Sequence, residues 1–215
     1  MVESADRSVG RVLDALERVG ITERTAVVFV SDNGGLSTLM RRSFNQATSN
    51  VPLRAGKGWL YEGGIRAPLI VRWPGGVEGG RVVDDPSMST DLYPTLLEMA
   101  GLPAKPDQHV DGVSLAGAMR AHETPRDALF WHFPHYHGSG NRPGGAIRVG
   151  DWKLVEWFED DAVELYDLST DLEEARDLSA ERPEVVEELR ARLDAWRERV
   201  DARMPSPLDR APAGS

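Results

Sequence analysis

Val2, Ala5, Val9, Val12, Leu13, Leu16 and Val19 recur at intervals of three and four, the spacing that lines one face of a helix, and Gly20 stands where that helix would stop. The next run, Thr25-Ala26-Val27-Val28-Phe29-Val30, is continuously apolar, too short for a helix and rich in β-branched residues, which predicts a strand covered on both faces. Leu69 to Trp73 is a second such run, closed by Pro74-Gly75-Gly76. Thr90 to Gly101 predicts a helix, with Ser89, Thr90 or Asp91 as cap, Pro94 tolerated near the start and Gly101 at the end. Helix and buried strand in succession suggest an α/β sheet.

The texture changes near residue 125. Short aromatic strands separated by turns follow at Leu129 to Phe133, Ala146 to Val149, Trp152 to Phe158 and Val163 to Leu168, the pattern of a small antiparallel sheet. A last helix starts at Pro183 and carries Val185, Leu189, Leu193, Trp196 and Val200 on one face, with Arg197 and Arg199 near its end as the helix dipole favours. Trp152, Trp157 and Trp196 are assigned to core packing. The expected organisation is an α/β part over residues 1–124, an α+β subdomain over 125–203 and a disordered tail over 204–215.

Charge and composition narrow the function. The net charge of -10 opposes binding to nucleic acid, although the acid is local: Glu156 to Glu188 holds 14 Asp and Glu against only Arg176 and Arg182, so the rest of the chain is near neutral and could hold an anion. No stretch approaches the roughly 20 apolar residues of a membrane span, and Met1 to Asp6 has no signal-peptide character. The chain has no cysteine, which removes disulfides, thiolate metal sites and cysteine nucleophiles.

Ser31-Asp32-Asn33-Gly34-Gly35 directly follows the first buried run, where ligands gather in α/β sheets. Asp32 and Asn33 offer adjacent hard oxygens for a metal, or form a plain Asn-Gly turn. Between Gly56 and Gly64, four glycines surround Lys57 in a backbone able to bring an ammonium close to an anion; the alternative is a glycine-rich loop with a solvated lysine.

Taken together, TAVVFVSDNG (25–34), KGWLYEGGIRAP (57–68), Trp73-Pro74-Gly75 and STDLYPTLLEMAG (89–101) resemble, in order, the latter half of type I sulfatases, the formylglycine-dependent sulfate ester hydrolases of the alkaline phosphatase superfamily. The resemblance runs on through LFWHFPHY (129–136), GAIRVGDWKL (145–154) and ELYDL (164–168). It implies part of an alkaline-phosphatase-like, mostly parallel sheet with helices, followed by a small antiparallel subdomain packed by one helix. It also implies that Asp32 and Asn33 are ligands to calcium, that Lys57 contacts the sulfate and its leaving oxygen, and that Arg66 holds a turn or an ion pair. A sulfated small molecule or carbohydrate is the implied partner.

The family's nucleophile is made from the Cys or Ser that heads a C/S-x-P/A-x-R motif, and no such motif is present; Ser206 to Arg210 has the right ends but Leu208 in the middle. Calcium takes about 6–8 oxygens, more than Asp32 and Asn33 can supply. The expectation is therefore the C-terminal portion of a sulfuric ester hydrolase, inactive alone, whose compartment is not legible; a complete protein exported to the periplasm or secreted is compatible with it. In Trp131 to Gly138, His135 or His132, with Arg142 or Tyr136, is expected to line the substrate pocket, packing between subdomains being the alternative; Pro134 breaks the strand register and argues against zinc. Two other readings stay open, a phosphoesterase of the same superfamily and a non-catalytic anion-binding module.

Overall fold

The computed structural model describes residues 2–37, 48–121 and 126–206, and divides the chain into two compact units. The first comprises residues 1–31 and 68–126, the second 32–67 and 127–215. The expected tail and the Ser206 to Arg210 run fall largely outside the described residues.

In the first unit, α1 (Val2–Arg18) ends at Gly20, whose φ of 69° is the left-handed turn a glycine accepts without strain. Strand β1 (Val27–Val30) pairs antiparallel with β2 (Leu69–Arg72), Val27 opposite Arg72 and Val30 opposite Leu69. Every strand pair among the described residues is antiparallel. Nor is β1 covered on both faces: Phe29 is 42% exposed, Val30 43% and Ile70 on its partner 62%. A run of apolar residues reports what a strand could bury, and this ribbon finds too little within its own unit.

Helix α3 (Leu92–Met99) follows a turn of 3-10 helix at Ser89–Asp91 and stops at Gly101. Its anchor is Asp91, fully buried, whose carboxylate accepts the Met88 and Val113 N–H groups at 2.8 and 3.0 Å and pairs with Arg126. Thr95, one turn on, donates its hydroxyl to the Asp91 carbonyl and accepts the Leu115 N–H, which places the start of α4 (Ala116–Ala121).

The second unit is built on the antiparallel sheet β3 (Leu129–Phe133), β4 (Gly144–Val149), β5 (Trp152–Trp157) and β6 (Ala162–Asp167), in that order. Alternation gives the sheet two buried faces. On one, Ile147, Leu154 and Leu165 meet Leu189 and Leu193 of α5 (Pro183–Arg199), with Phe130 stacked on Trp196 at 5.0 Å. On the other, Ala146, Val155, Trp157 and Tyr166 meet Leu60 and Tyr61, with Trp59, Trp131 and Phe133 at the margin. The glycine-rich segment thus covers the face of the sheet opposite α5. It includes one turn of helix, α2 (Glu62–Ile65).

Candidate sulfate and metal site

Glycine backbone joins the two sequence motifs. The Gly34 N–H bonds to the Gly64 carbonyl at 2.9 Å, and a Cβ on Gly34 would collide with the carbonyl oxygen of Gly63. No other residue fits at Gly34, while Gly63 and Gly64 are held to glycine by the Arg54 and Ala55 carbonyls and by the Trp59 and Gly56 carbonyls. The Lys57 N–H then bonds to the Gly35 carbonyl at 3.0 Å. Asn50 completes the join: its Nδ2 donates to the carbonyls of Gly35 (2.8 Å) and Ala55 (3.0 Å), and its Oδ1 accepts the Gly35 N–H at 3.1 Å. Nothing in the local sequence around Asn50 announces this role.

The loop is tied to the sheet by buried charge. Lys153 on β5 is fully buried, and its ammonium donates to Glu62 at 2.9 Å and Glu174 at 2.7 Å. Glu174 also accepts the Glu62 N–H at 2.7 Å, and Arg66 reaches Glu62 at 3.2 Å. Burial works to raise the Glu62 carboxyl, but the charge and hydrogen bond of Lys153, with Arg148 and Arg66, outweigh it and leave that carboxyl below its usual range. Glu174 goes the other way: burial, aided by the Glu62 charge, outweighs the Lys153 ammonium and holds it above its usual range. A second cluster centres on Glu164, which accepts Tyr61 and Tyr166 hydroxyls at 2.7 Å each and the Trp157 Nε1–H at 3.0 Å. Burial first, and then this carboxylate, pushes both phenols above their usual range. Arg54 lies 3.8 Å over the Tyr61 ring and donates to the Tyr166 hydroxyl at 2.7 Å.

The result is a cavity of about 310 Å³ in the second unit, whose lining includes Asn33, Lys57, Trp59, Trp131, Phe133 and His137. Of the residues singled out from sequence, Asn33 and Lys57 are brought to the same cavity, and Asp32 is exposed next to Asn33. The Asp32 carboxylate accepts the Asn33 N–H at 3.1 Å, and the Asn33 Nδ2 donates to the Gly34 carbonyl at 2.9 Å. An adjacent carboxylate and carboxamide are hard oxygen donors, the kind calcium takes, so the pair fits as part of such a site. Among the described residues no three His, Asp or Glu side chains gather to form a metal site by themselves.

Of the two histidines expected at the pocket, His132 is among the residues that line this cavity and His135 is not. His132 borders the cavity, but alternation puts its imidazole on the Phe130 face of β3, where Nε2 bonds to the Arg203 carbonyl at 2.9 Å and the ring tilts against Phe158. His135 is exposed and meets only the edge of Phe133, and Arg142 is held by Asp160 at 2.8 Å over the Trp157 ring. Neither lines the cavity. Pro134 ends β3, so strand parity no longer governs the residues beyond it. His137, considered from sequence only as a zinc ligand, also lines the cavity, its ring against Gly58 with no room left for a Cβ there. Trp157 lies in the core on the loop-covered face of the sheet, and Trp152 and Trp196 pack against the core on its α5 face.

This arrangement has known counterparts. Residues 55–199 match the family described as N-sulphoglucosamine sulphohydrolase, C-terminal, and residues 1–102 match the Sulfatase family. The chain belongs to the sulfatase family, and what it carries corresponds to a C-terminal portion. It is 42% identical to a sulfatase of Formosa agariphila over 91% of this chain and 38% of that protein. Its structure resembles that of Ps i-CgsB in complex with a neocarrahexaose (TM-score 0.80, 31% identity, 96% of this chain and 43% of that one). It also resembles BT4656 in complex with its substrate D-glucosamine-2-N,6-O-disulfate (TM-score 0.76, 27% identity, 95% of this chain and 40% of that one). The chain therefore spans well under two thirds of the length of these relatives.

Proposed function

We propose that this chain is the C-terminal part of an enzyme that hydrolyses the sulfate ester of a carbohydrate, to which it contributes Lys57 and the Asp32–Asn33 pair. The observation that carries the reading is the backbone join of Gly34 to Gly64 and of Lys57 to Gly35, which brings a lysine and the Asn33 carboxamide to one cavity. Support for the sugar comes from the two solved structures, each bound to a carbohydrate.

In sulfuryl transfer, negative charge builds on the sulfate and on the leaving oxygen. The Lys57 ammonium offsets that charge directly and needs no proton transfer to do so. Asp32 and Asn33 would hold calcium through Oδ atoms, with the remaining oxygens of its shell of about 6–8 supplied by other polypeptide. Bound there, the cation would neutralise further charge on the sulfate oxygens. The chain has no cysteine and no intact formylglycine motif, so the attacking group also belongs to other polypeptide. The exposed surface of α1, which buries no residue, suits a unit that packs against more of the same enzyme.

The purified chain should not turn over 4-nitrophenyl sulfate. In the full-length enzyme, Lys57→Ala should lower kcat by about a hundredfold to a thousandfold, as expected for loss of one charge-stabilising group. Turnover by the chain alone, or an unchanged kcat in the variant, would contradict the assignment.

A further inference from the structure

The turn between β3 and β4 carries a device that strand periodicity did not reveal. His137 Nδ1 accepts the Ser139 N–H at 3.2 Å and lies 2.8 Å from the Ser139 hydroxyl. A nitrogen that accepts a backbone N–H has no proton of its own, so in the neutral ring the proton sits on Nε2. No hydrogen bond engages Nε2 among the described residues. The turn is closed by the His137 N–H on the Asn141 carbonyl and the Gly140 N–H on the His137 carbonyl, each at 3.0 Å. Ser139, itself buried, also accepts the Trp59 Nε1–H on its carbonyl at 3.2 Å. The backbone at position 139 therefore holds both a histidine and a tryptophan of the cavity that contains Lys57, and the Ser139 hydroxyl adds a further contact to the histidine.

We propose that His137 is a specificity residue that presents a neutral Nε2–H donor to a sugar oxygen next to the sulfate, while Lys57 takes the anion. The inference rests on the site reading above and deepens it. A cation suits the sulfate, and a neutral donor suits a hydroxyl or ring oxygen. Trp59, Trp131 and Phe133 supply apolar surface for the C–H faces of a sugar ring. A donor fixed this way discriminates, because a ligand without the matching oxygen leaves it unpaired.

The test uses the whole chain with two probes, glucosamine 6-sulfate and inorganic sulfate, and three variants: His137→Phe, Ser139→Ala and Lys57→Met. Long-range ¹H–¹⁵N spectra should show His137 protonated on Nε2 in the unliganded chain, and still so in Ser139→Ala, which keeps the backbone N–H that Nδ1 accepts. His137→Phe should weaken glucosamine 6-sulfate by about tenfold, the size of one lost hydrogen bond, and leave inorganic sulfate unchanged. Lys57→Met should weaken both. An Nδ1–H tautomer in the parent chain, or parental binding of the sugar sulfate by His137→Phe while Lys57→Met loses it, would overturn the role of His137 and leave the site reading standing. If Lys57→Met binds both probes as the parent does, the site reading fails and this inference with it.

Discussion

Lys153 is a fully buried ammonium whose two carboxylates sit on segments remote in sequence, Glu62 in the motif loop and Glu174 beyond β6. Replacing it by Met fills similar space but strands two buried carboxylates, at an expected cost of about 3–5 kcal/mol. The pH dependence follows from the directions of the shifts. In the parent, Glu62 lies below its usual value, so its stabilisation is present above the ordinary carboxylate range and is lost as pH falls through its lowered folded value. Glu174 lies above its usual value, so it weakens the fold once ionised, a cost removed as pH falls. In Lys153→Met both carboxyls lose their cation, burial raises them together, and the fold should recover stability between pH 7.5 and pH 5. Urea unfolding at the two pH values reads this directly; an equal loss at both would exclude an electrostatic role for Lys153.

At the scale of elements, the second unit is where sequence and structure agree most closely. The run read as Leu129 to Phe133 is β3 residue for residue, and the last helix was legible from Pro183 onward. Short antiparallel strands joined by tight turns are specified locally, since alternation and turn residues lie within a few positions of one another. The sequence did not say that the sheet is covered twice. Its α5 face follows from the apolar stripe, and Leu193→Ala there should cost about 2–5 kcal/mol in urea unfolding, because Leu193 is wholly buried. Its other face is covered by loop residues Leu60 and Tyr61, whose pattern is that of no regular element.

At the scale of the whole molecule, exposed apolar surface gathers in the first unit. Val12, Val19, Phe29, Val30 and Ile70 are all more than one third exposed, and among the described residues β1 and β2 each have a single strand partner. Open apolar ribbon edges of this kind recruit other chains. The isolated chain should therefore self-associate as concentration rises, and Ile70→Lys should reduce that association in sedimentation velocity experiments without altering the His137 spectra. Equal association of both proteins would remove the exposed ribbon as its cause.

The sequence by itself determined the elements of the antiparallel sheet, the helix on it, and the resemblance that singled out Asp32, Asn33 and Lys57. These depend on residues close together in the chain: a period of two or of 3.6, a proline at a start, a glycine at a stop. Tertiary structure alone decided that residues 32–67 join the sheet-bearing unit, that Asn50 and Lys153 hold the motif loop, and that His137 rather than His135 faces Lys57's cavity. The physical reason is range. Those choices are made by hydrogen bonds and collisions between positions far apart in the chain, such as Lys153 with Glu62 and His137 with Gly58, and no local periodicity encodes them.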